Sequence, residues 1–569
     1  METLRSRRWL GRTDFWGAEY RAYLRAEGFG PRMFDNRPII GIAQSWSEFT
    51  SCHLHLRRVA EAVKRGVLMA GGWPLEFPTI SISEALYRPS PMLLRNLMSM
   101  DVEESIRGLP MDGVVLLAGC DKNTPAYLMG AASVGLPTIL VSAGPMQEGR
   151  WQGRSVAIGT DFYRAEADYR AGLLTDAEFV AIESRIAPSC GTCAVMGTAS
   201  TMAVLGETLG VSLPGDAAAP ANDSLRLMQA EESGHAIVAL VRRGLTLSQI
   251  LTPAAFHNAL RVLLAIGGST NAVIHLLALA GRVGVPLTLD EIDRLSRETP
   301  VVVALKPNGT HGMADLFDVG GGPAILKELT PLLNLDVLTA TGETLGTVLE
   351  RVKSSSDGSV IHSLNAPLQQ EGGIAVIRGN SAPGGALIKQ SAATPHLLRH
   401  RGRAVVFEGY EDLLSRIDDE ALDVDENCVL VLRGGGPVGG PGMPEWGQLP
   451  LPTKLLRRGV RDMVRISDAR MSGTQYGTVV LHVVSESAVG GPLALVRDGD
   501  EIELDVPARR LELRVSPEEL ALRRNAWQPP APIYSRGYGK LYLDHIQQAD
   551  QGCDFDFLRA IAVPEMVRT

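Results

Sequence analysis

Short apolar runs that stop abruptly in clusters of polar residues recur along this chain. GVVLLAG runs into Cys120-Asp121-Lys122-Asn123-Thr124, CVLVLRG runs into GGPVGGPGMPEW, and DMVRI runs into Ser467-Asp468-Ala469-Arg470-Met471-Ser472-Gly473-Thr474. Runs of this length fit strands, and in open α/β sheets ligands bind outside the carboxyl ends of the strands. These loops are where chemistry is expected, and because two of them lie late in the chain, a site shared between two domains follows.

The first two-thirds alternates strand-like and helix-like segments. RPIIGIAQS is followed by HLRRVAEAVKRGVLMAG, with Val59, Val63 and Val67 at four-residue spacing, then by DGVVLLAGC and PTILVSAG. This predicts an α/β fold with a parallel sheet covered on both faces. From about Gly372 the texture changes to GGIAVIRG, RAVVFEG, NCVLVLRGGG, DMVRISD, TVVLHVV and DEIELDV, separated by Gly-rich turns. A second, β-barrel-like domain is predicted there, with the boundary near residue 370: an α/β domain over 1–370 and a β-rich domain over 371–569.

Charge and composition exclude several functions. Fifty-five Lys plus Arg against 64 Asp plus Glu give a formal net charge of −9, so no general attraction to nucleic acid or an anionic membrane is expected. The most apolar stretch, LLAIGGSTNAVIHLLALAG, is interrupted by Ser269, Thr270, Asn271 and His275, and falls short of the roughly 18 apolar residues a membrane span needs. Six cysteines are too sparse for a disulfide scaffold, and METLRSRRWLGRTDFWG has no apolar core of signal-peptide length. A reducing, cytoplasmic setting is expected.

Cys52, Cys120 and Cys193 are about 70 residues apart, which is no zinc-finger spacing. A free cysteine is most often a small buried hydrophobe, yet Cys120 sits in GCDKNTP and Cys52 in SEFTSCHLH, neither of which reads as core. Cys190 and Cys193 form C-x-x-C outside any thioredoxin-like context, and Cys428 and Cys553 read as structural. Glu84, Asp121 and Glu445 are the residue type for a hard divalent cation such as Mg²⁺; singly, each is more often a solvated surface carboxylate. Asp121 gains from its place at a strand end and Glu445 from the glycines before it, whereas Glu84 has no local support. Gly434 to Gly439 formally matches G-x-G-x-x-G, but GPGMP follows where a helix should begin, so a dinucleotide fold is rejected. The loop either approaches an anion with its N–H groups or is a wide turn. Ser472 becomes a base only if a cation stabilises its alkoxide. Ser269 or Thr270 is suited to cap the following helix or to help hold an anion there. His53, His55, His275 and His482 lack metal-ligand spacing and read as structural.

In order along the chain, SCHLHLRRVAEAVKRGV, GCDKNTPAYLMGAASVGLPTILVSAGPM, CAVMGTASTMAVLGETLG, GGSTNAVIHLL, GNSAPGG, GGPGMPEW and SDARMSGTQYGT resemble the motifs of the dihydroxy-acid and phosphogluconate dehydratase family. The tail RGYGKLYLDHIQQADQGCDFDFL looks like its sugar-acid (aldonate) branch. The resemblance implies an iron-sulfur and Mg²⁺-dependent hydro-lyase that turns a pentonate, such as L-arabinonate or D-xylonate, into its 2-keto-3-deoxy acid. It implies a [2Fe-2S] cluster on Cys52, Cys120 and Cys193, and Mg²⁺ on Glu84, Asp121, Glu445 and a carbamylated Lys122. Ser472 is implied as the proton-abstracting alkoxide, with Thr474, and Ser269 or Thr270, near the substrate. The partner is then a small sugar acid, and a homo-oligomer, dimer or tetramer, is expected. The alternatives are the dihydroxy-acid dehydratase of branched-chain amino-acid synthesis, which the tail disfavours, and a non-catalytic sugar-acid-binding relative.

Overall fold

The computed structural model describes residues 4–355 and 357–560. Its first sheet is parallel and four-stranded: β1 (Ile39–Gln44), β2 (Trp73–Pro78), β3 (Gly113–Ala118) and β4 (Thr138–Ser142), in the order β2-β1-β3-β4. Successive side chains of a strand point to opposite faces, and here both faces are buried. Ile40, Ile42, Val115 and Leu117 pack with helices Leu56–Met69 and Ser224–Arg243, while Ile39, Ala43, Val114 and Leu116 pack with Arg95–Gly108 and Asn123–Val134. The apolar runs read as continuous because no residue on them faces water.

Two features differ from the alternation expected of the sequence. WPLEFP, with Pro74 and Pro78, carries no strand signature, yet it forms β2; proline is tolerated there because β2 is an edge strand. All four strands lie before residue 143; a small hairpin, β5 (Gly149–Trp151) and β6 (Arg154–Val156), follows, and most of the chain from Thr160 to Glu350 is helical. Helices Thr198–Thr208, Pro253–Ala265 and Asn271–Arg282 are almost wholly buried in this layer.

The β-rich part closes into an eight-stranded barrel. Its strands are β7 (Ala375–Gly379), β8 (Ala382–Ile388), β9 (Arg399–Glu408), β10 (Val429–Arg433), β11 (Arg465–Ser467), β12 (Val479–Val484), β13 (Glu501–Asp505) and β14 (Arg510–Leu513). They close in the order β10-β11-β12-β8-β7-β14-β13-β9, with β9 to β12 mutually parallel. Val431, Ile466, Val480, Ile388, Ile377, Leu511, Ile502 and Val406 contribute to its filling. Closure removes the exposed edges an open sheet would leave. The chain beyond the barrel is not β-rich. It turns helical and returns to the first part of the molecule: buried Arg95 donates to the carbonyls of Gly552 and Cys553 at 2.9 and 2.6 Å, and Arg282 pairs with Asp554 at 2.6 Å. Among the described residues, no helix is long and apolar enough to cross a membrane.

Candidate functional site

Parallel strands send all their carboxyl ends to one edge of a sheet, and a cavity of about 640 Å³ lies beyond that edge, against the barrel. Each strand of the sheet supplies it. Cys52 follows β1 on the turn Ser51–His53, Glu84 follows β2, Cys120 and Asp121 follow β3, and Met146 follows β4. Cys193 arrives on the loop before helix Thr198–Thr208. From the barrel come Glu445, on the glycine-rich connection after β10, and Ser472 and Thr474, just after β11.

The three cysteines that lie so far apart in sequence converge here. Cys120 is buried, and Cys52 and Cys193 are half-buried on the cavity wall. The Cys52 thiol is pushed well above its ordinary range by a hydrogen bond with Cys120, by burial and by the nearby Cys193, and burial with Asp121 and Cys120 does the same to Cys193. Thiols raised in this way, as those of Cys52 and Cys193 are, are disposed to ionise only around a cation. Cys190 does not line the cavity; its thiol is raised mainly by burial. His53 fixes the Cys120 turn. Burial lowers its imidazole to about 3, keeping it neutral, so that Nε2 accepts the N–H groups of Gly119 and Cys120 at 3.1 and 3.0 Å while Nδ1 meets Ser81 Oγ at 2.9 Å.

Glu84, Asp121 and Glu445 bring one carboxylate oxygen each to within 4.8 Å of the others. Burial pushes Asp121 and Glu445 up, and repulsion from Glu84 adds to this against the pull of Lys122 and Arg470. A divalent ion among them would reverse that balance. Lys122 is fully buried, with Nζ 3.1 Å from Glu84 Oε2 and 3.7 Å from Asp121 Oδ2, but Nζ and Glu84 Oε2 are both left without an aligned hydrogen bond. Orphaned buried polar atoms beside a group of carboxylates fit a cation-binding site. Arg470, also fully buried, holds the set from behind: Nη1 meets Glu445 Oε1 at 3.0 Å, Nε donates to the Met443 carbonyl at 2.6 Å, and Nη2 lies 3.6 Å from Glu84 Oε1.

Ser472 is half-buried, its Oγ 2.9 Å from Thr474 Oγ1 and accepting the Thr474 N–H at 3.4 Å. Thr474 packs closely on Gly159, whose φ of +97° is a left-handed conformation that favours glycine; a Cβ there would lie 2.5 Å from Thr474 Oγ1. Ser269 and Thr270 do not line the cavity. Ser269 is buried behind Gly473 and accepts the Asn271 N–H at 3.2 Å, while Thr270 has helical backbone and its Oγ1 has no partner. Their neighbour Asn271, which the sequence did not single out, is the residue that reaches the carboxylates, donating to Glu445 Oε1 at 3.1 Å and to the Met471 carbonyl at 3.2 Å. Tyr163, Tyr410 and Trp446 also line the cavity and went unremarked in the sequence; the last two stack with centroids 5.1 Å apart and their planes nearly parallel.

The glycine loop turns out to cradle carboxylates of the chain itself. Glu486 accepts the N–H groups of Val438 and Gly439, both at 2.9 Å, and the Gln548 amide at 2.7 Å; Asp468 accepts the Gly435 N–H at 2.9 Å. Burial, with Asp468 adding, pushes Glu486 up to about 7. Tyr542, from the C-terminal tail, accepts the Gly442 N–H at 3.1 Å. The loop that carries Glu445 is therefore anchored from inside. Glu486→Ala is expected to cost about 1–3 kcal/mol for each N–H it orphans, read as a lowered melting temperature; an unchanged melt would show that the cradle does not stabilise the loop.

The chain matches two adjoining family models, the dihydroxy-acid/6-phosphogluconate dehydratase N-terminal model over residues 37–348 and the C-terminal model over residues 359–553. It is 52% identical over 564 residues to an L-arabonate dehydratase of Azospirillum brasilense, covering 98% of this chain and 97% of that one. It is 51% identical over 558 residues to an L-arabinonate dehydratase of Rhizobium leguminosarum bv. trifolii, covering 98% and 96%. To a 6-deoxy-6-sulfo-D-gluconate dehydratase of Pseudomonas putida it is 47% identical over 569 residues, covering 99% and 98%. With both halves matched and the strand-end cavity between them, this chain belongs to the dihydroxy-acid/6-phosphogluconate dehydratase family, on its sugar-acid side, and is a hydro-lyase.

Proposed function

We propose that the protein dehydrates a sugar acid, specifically a pentonate such as L-arabinonate or D-xylonate, to the 2-keto-3-deoxy acid by removing the C2 proton and releasing the C3 hydroxyl. One observation carries this reading: a single cavity gathers three thiols, three carboxylates and a serine hydroxyl from both parts of the chain. The similarity to an L-arabonate and an L-arabinonate dehydratase supports a pentonate over a branched acid.

In this reading Cys52, Cys120 and Cys193 hold a [2Fe-2S] cluster, and Glu84, Asp121, Glu445 and a carbamylated Lys122 hold Mg²⁺. When bound, the two groups supply Lewis acidity to the carboxylate and hydroxyl oxygens of the acid. The chain's own residues do the rest. Ser472 Oγ takes the C2 proton, a very weakly acidic one, so the hydroxyl must be held close and its anion favoured. Thr474 orients that oxygen through its hydroxyl and its N–H. Arg470 and Asn271 keep Glu445 turned into the cavity. The stacked Tyr410 and Trp446 wall it with flat apolar surface, and Ser269 supports the loop of Ser472 rather than the substrate.

The test is turnover of a panel of aldonic acids and of 2,3-dihydroxyisovalerate by the metal-loaded protein, followed as 2-keto acid formed. A pentonate is expected to be the preferred substrate; strong preference for the branched acid would overturn the proposal. Chelation of Mg²⁺ is expected to abolish turnover and added Mg²⁺ to restore it, and activity that survives exhaustive chelation would remove the carboxylate cluster from the mechanism.

A further inference from the structure

Lys389 directly follows β8 and is fully buried. Among the described residues it has no acidic partner, and its Nζ makes one hydrogen bond, to the carbonyl of Gly473 at 3.2 Å. An uncompensated buried ammonium is costly and persists only where something offsets it. Burial alone lowers this lysine, to about 7, so a negative charge forming nearby would strongly favour its protonated form.

The residue it holds adjoins Ser472. Gly473 itself is wedged so tightly that a Cβ would lie 2.6 Å from Ser269 Oγ and 2.7 Å from the Thr198 backbone nitrogen. The serine loop is thus clamped between a barrel lysine and the starts of two helices, Thr198–Thr208 and Asn271–Arg282. Lys122 and Arg470, the other buried cations close to the site, already face carboxylates. Lys389 alone of these three has its charge to spare.

We infer that Lys389 is a positioning residue for Ser472, fixing its loop through the Gly473 carbonyl and supplying the buried positive charge that favours the ionised hydroxyl during C2 proton removal. This rests on the reading of Ser472 as the base. Lys389 does not touch the substrate and keeps its own proton. Tyr163, Asp121, Glu445 and Cys193 face the same cavity as Ser472 and are left intact by substitution at Lys389.

The test compares Lys389→Met and Lys389→Arg in the full-length, metal-loaded protein, using a sugar acid that the unaltered protein turns over. Lys389→Met is expected to lower kcat by about 10²-fold with KM little changed. It should also enlarge the C2-deuterium isotope effect and move the rise of kcat to higher pH. Lys389→Arg, which keeps the charge, should recover much of the loss. Unchanged kcat and pH profile in Lys389→Met would overturn the inference, as would equal losses in both variants accompanied by a lowered melting temperature, which mark a packing role. If Ser472→Ala is inactive while Lys389→Met is unimpaired, this inference fails alone; if Ser472→Ala is fully active, the reading it rests on fails.

Discussion

Ser472→Ala is expected to lower kcat by about 10²- to 10⁴-fold, the range a positioned general base contributes, while iron content and visible absorption stay those of the unaltered protein. The substitution removes one oxygen from the cavity wall. Among the described residues that oxygen is hydrogen-bonded with Thr474 Oγ1 and the Thr474 N–H, with the Tyr163 side chain also against it, and with no cysteine or cluster carboxylate. Ligation of the proposed cluster and Mg²⁺ should therefore survive, and KM should move far less than kcat because Ser472 is proposed to take the C2 proton rather than to hold the acid. Turnover within a few-fold of the unaltered enzyme would take Ser472 out of the mechanism.

Replacing Cys120 should act on a different property. Cys120→Ser is expected to lose most bound iron and the visible absorption with it, and activity should fall below detection. Cys120 is the most buried of the three converging cysteines, its Sγ accepts the Glu84 N–H at 3.4 Å, and the Cys52 thiol hydrogen-bonds to it. A serine hydroxyl there is a far weaker ligand for a soft metal centre than a thiolate, and the three-thiol arrangement would be left with two. Iron content equal to that of the unaltered protein would contradict the assignment. The same change at Cys190, which lies off the cavity, is the natural control.

Much of this site could be read locally. A strand that ends in Cys120-Asp121-Lys122, and another that ends shortly before Ser472, are signalled by an apolar run followed by polar residues. The β-rich texture after Gly372 likewise announced six of the eight barrel strands. The two strands it missed have physical reasons. Ala382–Ile388 opens with Ala-Pro-Gly-Gly and lacks the β-branched alternation that marks a strand, and Arg510–Leu513 has no β-branched or aromatic residue. Glu84 had no local support because it follows β2, an edge strand written with prolines. Asn271 and Arg470 stood inside noticed motifs, but nothing in those motifs says which member turns inward.

What the sequence determined by itself is the kind of most segments, because strand and helix periodicity are properties of neighbouring residues, together with the family to which its seven motifs point. What only the tertiary structure decided is company. Parallel pairing delivers the ends of β1, β2 and β3 to one edge, so residues separated by long stretches of chain share a cavity; barrel closure brings Glu445 and Ser472 to its other wall; and burial leaves Lys389 with a charge and one carbonyl. Those facts depend on distances across the fold and on exclusion of water, neither of which is written in the order of residues along the chain.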